Sequence, residues 1–208
     1  MATEMGIFET IYNCRAMRRL KPDPVPESLL IKLIDAANQA PTGSNQQGAR
    51  WIVVRDAEQR SRLAALNRAA ATRYIGVRTE EEPPDEKRER LLAAVLWQAE
   101  HMQEIPALVI ACYRFGESVV DNPDIGTRGG GSIWPAVQNL LLAARAVGLG
   151  ATPTTLGLSD RAAVREVLQL PDDMAPFCLI PVGYPYGNFG PVTRLPVEET
   201  MRWDRWEQ

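Results

Sequence analysis

The run Ala107–Tyr113 (ALVIACY), opened by Pro106, constrains this chain more than any other stretch. A continuous apolar segment of strand length, with no polar alternation, must be covered on both faces. The chain therefore needs a sheet held between two layers, and its 208 residues suffice for such a core. The simplest organisation is one domain over residues 1–208. Further strands are expected at Trp51–Arg55 and Phe177–Val182, with a polar, β-prone element at Gly150–Leu156. Helical spacing of apolar residues marks Met5–Tyr12, Pro26–Ala40, Ala57–Ala71, Lys87–Glu104 and Ser159–Leu168. Pro135–Val147 is apolar nearly all round, which predicts a helix in the middle of the molecule or at a subunit interface. Ser132 is its expected N-cap and Gly148 its expected stop. Taken alone, this alternation of helix and strand points to a parallel α/β sheet.

The connections carry the chemistry. Ala40–Trp51 (APTGSNQQGARW) has a rigid start at Pro41, a permissive centre at Gly43, and five side chains, Thr42, Ser44, Asn45, Gln46 and Gln47, that donate and accept hydrogen bonds. It reads either as an ordinary connection, since these are common turn residues, or as a polar wall for a small molecule. Residues 14–21 place Arg15, Arg18, Arg19 and Lys21 after the first helix. This cluster is either a solvated basic face or a phosphate site, because arginine forks match phosphate oxygens. Thr152, Thr154 and Thr155 form a plain strand or a third polar element. Residues 74–86, with TEEEPPDE, predict an acidic loop, and residues 114–131 a long polar connection that is functional or mobile.

Several classes drop out. A formal charge of −3 without a basic stripe gives no support for nucleic-acid binding. No membrane span or signal peptide is visible, so the expected location is the cytoplasm. Cys14, Cys112 and Cys178 are odd in number and widely spaced, which predicts free thiols in a reducing compartment. His101 is the single histidine, so two-histidine metal sites are excluded and a Ser-His-Asp triad has one candidate base. Between Glu100 and Met102 on a helix, it reads as structural or pocket-lining. Neither GxGxxG nor GxxxxGK is present. Cys14 beside Arg15 is a candidate for a lowered thiol pKa, with no histidine or aspartate partner in sequence. Arginines, amides and hydroxyls without an acid–base pair suit a protein that holds a reactive cofactor.

Five segments in order resemble the FMN-dependent nitroreductase family, in its actinobacterial type. CRAMRRLKPDPVP (14–26) is similar to that family's RRSVRxF opening, and APTGSNQQGARW to its APSxxNxQPWxF loop. AEHMQEIPALVIAC (99–112), PAVQNLLLAARAVGLGATPTTL (135–156) and VGYPYGNFGPVTRLPVEETMRW (182–203) resemble its central helix-to-strand passage, its dimer helix with a flavin-contacting segment, and its closing segment. The resemblance implies an α+β fold with a mainly antiparallel sheet flanked by helices. It also implies a homodimer in which residues 186–208 wrap the partner subunit, with FMN sites at the interface.

Carried onto this chain, the resemblance sets Arg15, Ala16, Met17 and Arg18 along the FMN phosphate and pyrimidine edge. Thr42, Gly43, Asn45 and Gln47 join the flavin loop. Pro153, Thr154 and Thr155 pass under the isoalloxazine with a backbone N–H near N5, and Arg194 returns to the phosphate. On this resemblance the flavin N5 is expected to carry the chemistry, with no catalytic side chain and no metal. The resemblance further implies that hydride passes from NAD(P)H to flavin and on to a nitroaromatic, quinone or similar small acceptor in ping-pong fashion. Reductive dehalogenation, flavin cleavage, and non-catalytic FMN binding or redox sensing are the alternatives. Cys14 departs from a phosphate-binding arginine, Thr155 from an acidic residue, and Gly48-Ala49 from Pro-Trp, which is expected to widen the pocket there.

Overall fold

The computed structural model describes residues 5–81, 85–120 and 125–206. Within them, β1 (Ala49–Val54), β2 (Ala107–Arg114), β3 (Gly150–Ala151) and β4 (Met174–Gly183) form one sheet in the order β1-β2-β4-β3. All its pairings are antiparallel, so the parallel sheet suggested by element alternation is not formed. The reason lies in the connection from β1 to β2. It carries two paired helices, α3 (Ala57–Glu81) and α4 (Glu86–His101). An out-and-back pair returns the chain to the end of the sheet it left, where one crossover helix would have delivered a parallel strand.

Strand β2 is buried at every position except Arg114. Val109, Ala111 and Tyr113 face α2 (Glu27–Asn38) and α5 (Ile125–Ala146), while Leu108, Ile110 and Cys112 face α3 and α6 (Arg161–Leu168). The period-two alternation of a strand thus feeds two cores, and the α+β sandwich implied by the family resemblance is the observed architecture.

Three boundaries move. Helix α3 continues through Tyr74–Glu81, where an acidic loop is expected, because no proline lies between Ala57 and Pro83 and glutamate favours helix. Residues 82–84 and 121–124, parts of the two expected loops, lie outside the described residues. Helix α5 begins at Ile125, well before Pro135. The glycines at 129–131 and the internal Pro135 weaken its first turns on propensity, but packing overrides them. A Cβ on Gly129 would sit 2.5 Å from Phe177 Cζ and 2.9 Å from Phe115 Cζ, so a bare backbone is what seats those rings. Ser132 is consequently inside the helix and caps nothing there. Helix α6 is capped by Asp160, whose carboxylate accepts the Ala163 N–H at 3.0 Å, in place of the expected start at Ser159. Residues 115–120 are pinned: the Phe115 and Val119 N–H groups donate to the Asp173 and Asp172 carbonyls at 2.8 and 2.9 Å.

The apolar surface left over is concentrated at the ends of the chain. Helix α1 (Ile7–Asn13) packs on α5 yet leaves Phe8 and Tyr12 exposed. Beyond Val192 the tail, with its short α7 (Val197–Thr200), leaves Leu195, Val197, Met201, Trp203 and Trp206 exposed. Among the described residues no helix is long and apolar enough to cross a membrane.

Candidate functional site

The cationic segment is positioned by backbone hydrogen bonds along the β3–β4 edge. The Met17 N–H donates to Ala151 O at 3.4 Å, Lys21 N–H to Tyr184 O at 2.7 Å, and Tyr186 N–H to Arg19 O at 3.0 Å. Met17 and Leu20 turn into the core, which leaves Arg15 and Ala16 facing out. They line a cleft of about 400 Å³ with Tyr12, Cys14, Gln138, Pro153 and Arg194. Arg194 arrives on the returning tail, held where Val192 N–H donates to Tyr12 O at 3.0 Å and Arg145 stacks on the Phe189 ring at 4.1 Å. Arg15 makes no hydrogen bond or ion pair among the described residues, and Arg194 bonds only the neighbouring Thr193 carbonyl at 2.8 Å. Two guanidinium groups thus converge on a concave surface without a carboxylate.

Thr155 and Thr154 do not border this cleft, and Thr154 is fixed against β4 instead. Its N–H and C=O exchange bonds with Leu179 at 2.8 and 2.9 Å, and its hydroxyl meets the buried Asn67 Oδ1 at 3.4 Å. The Leu156 N–H donates to Thr154 Oγ1 at 3.3 Å. Between these used groups, the exposed Thr155 has an N–H without a partner among the described residues. Its side chain borders a neighbouring recess of about 440 Å³ with Trp134, Arg161 and Phe177. Thr152 is buried, and its hydroxyl is spent on the Ala151 carbonyl at 2.8 Å.

The polar loop lies elsewhere. The Gly43 N–H donates to Ser132 Oγ at 3.1 Å, and Thr42 and Gln47 border a small separate recess with Ala136. Ser132 and Ala136 are one turn apart on α5, whereas Gln138 and Leu141, which line the arginine cleft, are turned by roughly 120–180° from them at about 100° per residue. Within one chain, then, Arg15, Ala16, Pro153 and Arg194 come together, and Thr42, Gly43, Asn45 and Gln47 sit across α5 from them. Arg18 borders an adjoining cleft of about 540 Å³ that shares Arg15 and Ala16; Met17 serves as the buried anchor. Burial pushes the Arg18 pKa below its usual value, against the opposing influence of Tyr74.

The loop is tense in a way its composition does not announce. Ser44, Asn45 and Gln47 adopt φ of 50°, 53° and 50°, while Gly43 does not use its freedom. Left-handed backbone at non-glycine residues costs about 1–3 kcal/mol each and gathers at ligand-binding loops. Thr42 Oγ1 accepts the Gln47 N–H at 3.1 Å, but the Asn45 and Gln47 side chains have no partners among the described residues. At Gly48-Ala49, where the resemblance implies a wider pocket, the space beside Gly48 is filled by Tyr113. A Cβ on Gly48 would fall 2.4 Å from Tyr113 Cζ, so the tyrosine ring occupies the room a larger residue would take.

The cysteines are free thiols, as expected. Burial pushes Cys112 and Cys178 up to about 12. Cys14 also moves up, by burial, against the attraction of Arg145 for its thiolate; the lowering expected from neighbouring Arg15 is corrected. Its Sγ lies 3.6 Å from Leu141 O. At about pH 8 a thiol of pKa 12 is thiolate in roughly one molecule in ten thousand. Thiol titration of the folded protein is expected to report one slow group, Cys14, and denaturation all three; rapid labelling of two or three would contradict this burial.

His101 stacks on Trp97 with ring centroids 4.2 Å apart and its Nδ1 2.9 Å from Trp97 O. It borders none of these clefts. Sequence reasoning missed Gln138 on α5 and Lys87, Arg88 and Arg90 on α4, which border the two arginine clefts. The signal was present in α4, where Lys87, Arg90, Leu91 and Ala94 recur at helical spacing.

An antiparallel sheet between helical layers, with two arginines on a cleft beside the sheet edge that no carboxylate borders, defines a small α+β protein with a cationic cleft. Residues 11–184 match the Nitroreductase family, and the chain belongs to it. An NADH dehydrogenase of Thermus thermophilus is 34% identical over 200 residues, covering 91% of both chains. An iodotyrosine deiodinase of Thermotoga neapolitana is 31% identical, covering 86% of this chain and 88% of that one. Among solved structures, oxidised iodotyrosine deiodinase bound to FMN and 3-iodo-L-tyrosine superposes with a TM-score of 0.75 at 23% identity, covering 97% of this chain and all of that one. At that identity the likeness shows the fold.

Proposed function

We propose that this protein is an FMN-dependent oxidoreductase that takes electrons from NAD(P)H and delivers them to a small acceptor such as a nitroaromatic or quinone. The observation that carries the reading is the convergence of Arg15 and Arg194, without a carboxylate, on a cleft walled by Pro153 and Ala16. Its volume of about 400 Å³ lies in the range of about 300–1,000 Å³ typical of small-molecule sites. Family membership and a relative of the same fold solved with FMN support the choice of cofactor.

FMN, when bound, supplies the ability to accept and return a hydride. The chain's own residues hold it. Arg15 and Arg194 would grip the phosphate through charge-assisted hydrogen bonds. Arg18 would lend positive charge to the pyrimidine edge, a preorganised electrostatic effect. Ala16 and Pro153 would pack against the ring system, and the open N–H of Thr155, two residues beyond Pro153, would be the backbone donor toward it. Thr154 would position that donor through its paired bonds to Leu179.

The loop across α5 supports a homodimer. A site divided between two faces of one helix is completed when a second copy supplies Thr42, Gly43, Asn45 and Gln47 to the arginine cleft. Exposed Phe8 and Tyr12 on α1 and Trp203 and Trp206 on the tail give the apolar surface such a dimer would bury, with residues 186–208 wrapping the partner. The deiodinase relative motivates a second reading, reductive dehalogenation at the same site.

The test is the visible spectrum of the purified protein, followed by NAD(P)H oxidation with nitroaromatic, quinone and halophenol acceptors. A colourless protein that FMN cannot restore would overturn the reading. A yellow protein without turnover would support a binding or sensing role instead.

A further inference from the structure

The cleft of about 540 Å³ beside the arginine site carries more positive charge than the cofactor assignments use. Arg15 and Arg18 are shared with the proposed FMN site. Lys87, Arg88 and Arg90 are additional, and all border the cleft. The one carboxylate among its bordering residues, Asp85, is engaged as the cap of α4, where it accepts the Arg88 N–H at 2.9 Å. Lys87, Arg90, Leu91 and Ala94 fall within about 100° of one another on α4, so two cations stand over two apolar residues on the helix face that borders the cleft. Arg90 is paired with Glu86, which does not border the cleft, and Lys87 has no partner among the described residues.

We propose that this face of α4 is the subsite for the phosphate-bearing end of the reduced nicotinamide dinucleotide, and that Lys87 and Arg90 select NADPH over NADH. The proposal rests on the oxidoreductase reading above. The chemistry favours a nucleotide phosphate over a single carboxylate. A phosphate monoester brings nearly two negative charges and three acceptor oxygens, which the surplus of cations can match. The apolar floor of Leu91 and Ala94 suits the flat, weakly polar base that adjoins such a phosphate. The cleft also joins the flavin cleft through Arg15 and Ala16, so a ligand seated here can extend toward the reactive ring.

The experiment combines binding and kinetics on the full-length protein. Calorimetry measures 2′,5′-ADP and 5′-AMP binding to the wild type and to Lys87→Ala with Arg90→Ala. The expected result is that 2′,5′-ADP binds at least tenfold tighter than 5′-AMP, and that the double substitution erases this difference. In steady state, the kcat/KM ratio of NADPH to NADH is expected to fall tenfold or more in the double variant, chiefly through KM. Equal binding of the two nucleotides by the wild type, or an unchanged difference in the variant, would overturn the proposal. Binding of 2′,5′-ADP is read directly, without turnover. A protein that retains no flavin yet discriminates the two nucleotides would sink the oxidoreductase reading and leave this subsite standing. A flavin-loaded protein that does not discriminate would do the reverse.

Discussion

Arg15→Ala combined with Arg194→Ala is expected to give a folded, colourless protein. Charge-assisted hydrogen bonds contribute about 1.5–3 kcal/mol each, so losing both sets weakens FMN by about 3–6 kcal/mol, or roughly 10²–10⁴-fold. That is enough to strip the flavin during gel filtration. The fold should not notice. Arg15 has no structural partner among the described residues, and Arg194 bonds only an adjacent carbonyl. Surface changes of that kind typically fall within about 0.5 kcal/mol of neutral. Visible absorbance and circular dichroism check the two halves; flavin retained at wild-type stoichiometry would refute the phosphate assignment.

A second large effect is expected from mixing two defective proteins. One is the arginine double variant. The other is Asn45→Gly with Gln47→Gly, which removes the loop's side chains and suits its left-handed backbone. Each parent should hold flavin poorly. If the loop completes the partner's cleft, a mixed dimer owns one site with both halves intact. Random reassortment after unfolding and refolding then restores about one site in four, as two-fold symmetry requires. Flavin content of the refolded mixture, compared with each parent refolded alone, gives the answer. No gain over the parents would place loop and arginines in the same chain's site, contrary to their separation across α5.

The strand Ala107–Tyr113 was legible because a run apolar at every position has one good solution, and β2 is that solution. The antiparallel sense was not legible from periodicity. It depends on α3 and α4 forming a returning pair, a tertiary fact that the resemblance supplied and the residues did not. Helix α5 was half legible: Pro135 and three glycines argue against its first turns, and only the aromatic rings lying on Gly129 explain why those turns form. In the site, the arginines and the Pro153–Thr155 segment were readable as residue types. Their separation from the loop was not, because it depends on how far α5 rotates between Ser132 and Gln138. The cations of α4 were not legible as one group because Asp85, Glu86 and Glu89 are interleaved with them along the chain, and only helical winding gathers Lys87 and Arg90 on one face.

The close fit of Gly48 against Tyr113 bears on how this protein can change over generations. Neither residue can be exchanged freely while the other stays. A side chain at position 48 collides with the phenol ring, and a smaller residue at position 113 leaves a void beside β1 and frees the Gln46 side chain, whose Oε1 lies 3.4 Å from the phenol oxygen. A larger residue at position 48 would therefore require the Tyr113 ring to move or position 113 to shrink with it. Positions 48 and 113 are thereby coupled, so a change at one is expected to be accepted only together with a change at the other.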